Sequence, residues 1–96
     1  MTDLENRFHD AMLNLCDEAK RQCNINFTRL LKMLANETGV EVAKKLVNSN
    51  ELSEGFISLM EVSRTDLSVE VLILKEEWMV LFDEKTLNNA RRKISR

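Results

Sequence analysis

The sequence has no proline, no tyrosine and only two glycines. A many-stranded β-domain takes its chain reversals from those residues, so their scarcity excludes it and leaves an all-helical reading. No apolar run approaches the roughly 20 residues of a membrane span, and the opening MTDLENRFHD lacks the basic-then-apolar pattern of a signal peptide. The expected setting is therefore the cytoplasm, with no membrane. Two cysteines there imply no disulfide framework. Charge of one sign is also missing: 14 basic against 16 acidic residues, a formal net charge of -2, gives no global attraction to nucleic acid or to an anionic surface. What remains is 96 residues, 44% hydrophobic and 31% charged, enough for one core and one domain spanning 1-96.

The apolar positions recur at helical spacing. Thr2 and Glu5 form a capping-box pair, and Leu4, Phe8, Ala11, Met12, Leu15, Cys16, Ala19 and Cys23 then mark one face of a long helix. Asn24 and Asn26 interrupt it, because Asn tolerates the left-handed conformation of a helix end. A second helix is expected from Phe27 to about Glu37, with Phe27, Leu30, Leu31 and Leu34 inward. Gly39 reads as its stop, and Thr38 with Glu41 as the next capping box. A short third helix buries Val40, Ala43, Leu46 and Val47 and ends in the polar run Asn48, Ser49, Asn50. Ser53 caps a fourth, with Phe56, Ile57, Leu59 and Met60 apolar and Gly55 allowing close approach of another backbone. LSVEVLIL alternates as a strand would, but a lone strand leaves its donors unpaired. A helix running into or kinking before KEEWMVLF is the reading, and Asp83 then caps a last helix with Leu87, Ala90 and Ile94 inward. The expected architecture is all-α, a single compact bundle of five or six short helices.

Catalytic and metal chemistry find little footing in this pattern. His9, Cys16 and Cys23 stand seven residues apart, roughly 10.5 Å of rise per step, so they cannot close on one ion along a straight helix. No phosphate-binding glycine loop or paired-cysteine motif occurs. No metal, cofactor or catalytic residue is expected, and the chain is read as a non-enzyme. Glu61, Arg64, Asp66 and Glu70 are expected to meet at one corner as a structural network of caps and ion pairs, with a small hydrolytic site as its rival. Arg91, Arg92, Lys93 and Arg96 complement the negative end of the last helix or, alternatively, contact phosphates. Trp78, Met79 and Phe82 lie in more apolar surface than one helical stripe needs, so they are candidates for a partner-binding or homodimer surface as well as for the core.

The stretch SEGFISLMEVSRTDLSVEVLILKEEWMVLFDEKTLNNARRKI resembles a family of small uncharacterised bacterial and phage-borne proteins. The likeness is carried by Gly55, Phe56, Leu59, Glu61, Arg64, Asp66, Leu67, Glu70, Trp78, Leu81, Phe82, Ala90 and Arg91, and extends upstream over AKRQCNINFTRLLKMLANETGVEVAKKLV. Met60, Ser63, Thr65 and Ser68 depart from the pattern. The resemblance implies an all-helical fold and no settled activity. The functional expectation is a protein-interaction module, an accessory or inhibitor of a larger bacterial protein, acting on a protein partner or as a homodimer. The alternatives are a nucleic-acid-associated protein using the basic C-terminal helix and a phage-type inhibitor of a bacterial defence nuclease.

Overall fold

The structure is a computed structural model that describes residues 2-95. Among these the chain is all-helical, with no strand: α1 (Asp3–Cys23), α2 (Thr28–Asn36), α3 (Gly39–Asn48), α4 (Glu54–Glu61), a 3₁₀ turn (Thr65–Leu67), α5 (Val69–Ile73), α6 (Glu76–Met79) and α7 (Glu84–Ile94). Seven helices replace the expected five or six because residues 65-82 are cut into short pieces. The phase of the side chains explains the cuts. Val69, Leu72 and Ile73 are buried on α5, and a straight continuation would bring Glu76, Glu77 and Val80 onto the same face. Extended backbone at Lys75 (φ -70°, ψ 139°) resets the phase, so that Phe82 is buried and Val80 is left 77% exposed.

The helix starts follow local chemistry. The Thr2 hydroxyl accepts from the Glu5 amide at 3.1 Å while the Glu5 carboxylate accepts from the Thr2 amide at 3.0 Å, the full reciprocal box. Thr38, Ser53, Ser68 and Asp83 each accept from the amide three residues on. For α5 the cap is Ser68, whereas Asp66 belongs to the preceding 3₁₀ turn. Helix ends use left-handed residues: Asn24 (φ 56°) closes α1, and Ser63 (φ 57°) follows α4 with the Arg64 amide donating back to the Leu59 carbonyl at 2.8 Å.

One hydrophobic core lies between α1 and the α3, α5 and α7 layer. Phe8 and Met12 of α1, Val42, Ala43 and Val47 of α3, Leu59 of α4, Ile73 of α5 and Ala90 of α7 are fully enclosed. Leu31, expected on the inner face of α2, is exposed, and so are Ile57 and Met60 among the apolar residues of α4. Gly39 is not a helix stop but the first residue of α3, with an ordinary negative φ. Its missing side chain is what brings α3 against α1, since a Cβ there would lie 2.8 Å from the His9 Cα. Gly39→Ala is expected to cost about 1–3 kcal/mol by forcing two backbones apart, outweighing the better helix propensity of alanine. A lowered melting temperature with unchanged helical circular dichroism below the transition is the measurement.

Candidate functional site

The four carboxylate and guanidinium positions expected at one corner divide between two places. Arg64 and Asp66 do meet: Nε donates to Oδ1 at 3.0 Å and Nη2 to Oδ2 at 3.1 Å, the paired geometry a guanidinium favours. That contact holds the Asp66 carboxyl below its ordinary range. Arg64 Nη2 also donates to Gln22 Oε1 at 2.8 Å, which ties the turn to the end of α1 through a residue the sequence pattern did not single out. The Glu61 side chain is exposed and joins no hydrogen bond or ion pair among the described residues. Glu70 belongs elsewhere, inside the protein.

Glu70 is buried because it follows Val69 on the first turn of α5, between α3 and α7. Its side chain is 4% exposed, and Oε2 lies 3.9 Å from the ammonium nitrogen of Lys93, itself 8% exposed. Lys93 Nζ donates to the Leu46 carbonyl at 2.9 Å and more weakly to the Glu51 carbonyl at 3.5 Å. Leu46 is in the last turn of α3, where carbonyls lack intrahelical donors, so α7 caps α3 with a buried cation. Asn48 reinforces the junction, donating to Thr86 Oγ1 at 3.1 Å and accepting from Asn89 at 2.8 Å. Burial pushes the Glu70 carboxyl above its ordinary value, opposed by its own main-chain amide and by the Lys93 charge.

Glu70 lines an open pocket of about 170 Å³. Its apolar walls are Phe27 and Leu30 from the start of α2, Leu46 from α3, Phe56 and Leu59 from α4 and Val69 from α5, while the exposed Asn26, Arg29 and Glu54 also line it. Gly55 matters here, because a Cβ at that position would come within 2.5 Å of the Phe27 ring. The N-terminus of α4 can thus lie close against the aromatic wall.

The other predicted positions fall into place around the core. Phe82 is not a surface residue: it is buried, edge-on to Phe8 with ring centres 5.3 Å apart. Trp78 packs edge-on to the same Phe8 ring at 5.4 Å and is half-buried, as is Met79. The apolar surplus of this segment is therefore absorbed inward, except at Val80. In the basic segment Lys93 is inside and unable to reach a phosphate. Arg91 donates to Asn88 at 2.7 Å and lies 3.8 Å from Glu84, Arg92 donates to Asn89, and Arg96 lies outside the described residues. Cys16 is buried with its thiol pushed up to about 11, so it is a packing residue with little thiolate character. No three His, Cys, Asp or Glu side chains converge among the described residues, and no helix there is long and apolar enough to cross a membrane.

Comparison of the chain with protein-family models, with curated proteins and with solved structures gives no match. The functional reading comes from the chain's own side chains.

Proposed function

We propose that this chain is a non-enzymatic helical protein-interaction module, an accessory or inhibitor of a larger protein, which receives an apolar side chain of its partner in the pocket between α2, α4 and α5. The observation that supports it is the double use of α4. Gly55, Phe56 and Leu59 of this helix line the pocket, while Ile57 and Met60 are 43% and 38% exposed and Val62 at its end is 49% exposed. A pocket for one anchor beside exposed apolar residues, with polar side chains around, is the arrangement in which a few desolvated contacts carry most of a binding energy. The size is suitable: an apolar cavity of roughly 150 Å³ accommodates a benzene ring. On this reading the partner is a different protein, because in the segment that suggested a homodimer Phe82 is buried and Trp78 half-buried, both with their rings edge-on to Phe8.

Replacing the exposed residues tests the surface without disturbing the core. Ile57→Glu and Met60→Glu are expected to keep the melting temperature within a few degrees and to abolish capture of a partner that wild type and an Arg91→Ala control both retain. Quantitative affinity capture compared across the four proteins is the measurement. Identical capture by all of them overturns the reading, and sedimentation of wild type as a dimer would reassign the face to a second copy.

A further inference from the structure

We infer that the partner segment received by α4 is basic, an amphipathic helix of another protein whose apolar stripe is flanked by lysine or arginine; this rests on the protein-interaction reading above and names the chemistry of its partner. The outer face of α4 carries the argument. Glu54, Ile57 and Glu61 are all exposed and stand at i, i+3 and i+7, so they form one stripe with the apolar residue between the two carboxylates. Seven residues of rise put those carboxylates roughly 10.5 Å apart along the helix axis, and a helix laid along α4 can present cations at the same spacing. Met60 and Val62 add exposed apolar surface, and Glu54 also lines the pocket that takes the anchor.

The chain supplies few cations to answer these charges. Between Leu46 and Ser63 there is no Lys, Arg or His, whereas Glu51, Glu54 and Glu61 all fall in that stretch. The next cation, Arg64, is spent on Asp66 and Gln22. Arg29 lines the same pocket as Glu54 but forms no ion pair with it among the described residues. Glu54 has a local reason for its place, because a carboxylate in the first turn suits the positive end of a helix. Glu61 has none. It is the last residue of α4, at the negative end, and its side chain joins no hydrogen bond or ion pair among the described residues. An acid that its own helix disfavours, next to exposed apolar side chains, matches a cation supplied from outside. The same charges repel phosphate, so nucleic acid and anionic lipid suit this face poorly.

The test uses the full chain and three versions of one leucine-bearing amphipathic helical peptide, with lysine, glutamine or glutamate on either side of the apolar stripe, and a short DNA duplex. Chemical-shift titration of the Ile57 and Val62 amides at low salt is expected to show the lysine peptide binding about tenfold more tightly than the glutamate peptide, the combined effect of two exposed attractions made and two repulsions avoided. The preference should shrink at physiological salt and vanish in the exposed double variant Glu54→Gln, Glu61→Gln. Glu76→Gln with Glu77→Gln, which changes net charge equally on α6, should keep it. Equal binding of the three peptides, or persistence of the preference in the α4 double variant, overturns the basic partner and leaves the interaction reading standing. No shifts with any peptide overturn both, and duplex DNA shifting these amides more strongly than the lysine peptide overturns a protein as the occupant.

Discussion

Lys93→Ala is expected to lose about 3–5 kcal/mol of stability, the usual result of removing one partner from a buried ion pair. The substitution leaves Glu70 without its counter-charge and deprives the Leu46 carbonyl at the end of α3 of its donor. Denaturant unfolding followed by circular dichroism measures the loss. Replacing both members, as in Glu70→Leu with Lys93→Met, is expected to recover most of it, because a well-packed apolar pair avoids the desolvation of two ions. A double variant as unstable as Lys93→Ala would show that the ammonium acts chiefly through the carbonyls.

The same pair fixes a pH dependence. The Glu70 carboxyl is raised in the folded protein above its ordinary 4.5, so the folded state holds that proton more tightly than the unfolded chain does. Its contribution is fully present below 4.5 and is lost as pH rises through the raised value. Glu5, Asp66 and Asp83 are lowered by hydrogen bonds from Thr2, Arg64 and Thr86 and act in the opposite sense, contributing above their unfolded values and losing that contribution in acid. Wild-type stability minus that of Glu70→Gln cancels the contributions of Glu5, Asp66 and Asp83. That difference should decline as pH is raised from 4.5, and a flat difference would mean that Glu70 titrates normally.

Much of the backbone was legible because helix caps are local. Thr2 with Glu5, Ser53 and Asp83 each occupy the cap that their spacing predicts, and the α1 stripe from Phe8 to Ala19 is buried as its period requires. Elements fixed by distant contacts were less readable. The break at Lys75 depends on α5 and the Trp78 to Phe82 segment sharing one core, although the acidic pair Glu76 and Glu77 in phase with Val69 and Ile73 already hints at it. Lys93 had a visible signal: with Thr86, Leu87 and Ala90 it forms the inward stripe of α7. A basic C-terminal run invites a solvent-facing reading, and nothing local says that its acceptor is a carbonyl 47 residues away. The pocket was the least legible feature, since its wall is assembled from α2, α3, α4 and α5, and only Gly55 marked a close approach in advance.

Phe8→Ala is expected to cost roughly 3–5 kcal/mol, because it empties the centre of the core. Phe8 has no exposed surface and holds the rings of Trp78 and Phe82 edge-on, at centre distances of 5.4 Å and 5.3 Å and interplanar angles of 69° in both cases. Such aromatic contacts each add roughly 0.5–1.5 kcal/mol to area burial, and losing both removes the tie between α1 and the segment that leads into α7. A chain of 96 residues is expected near the lower part of the roughly 5–15 kcal/mol that folded domains possess, so the variant should be largely unfolded at physiological temperature. Leu13→Ala, on the exposed side of the same helix, should change stability by under about 0.5 kcal/mol. The single tryptophan reports on the break directly. In wild type its fluorescence and the helical signal should melt together as one transition, and in Phe8→Ala the fluorescence should shift towards the solvent-exposed value even in the cold. A Phe8→Ala protein with native fluorescence and melting temperature would remove Phe8 from the centre of the core and with it the tie between the two ends of the chain.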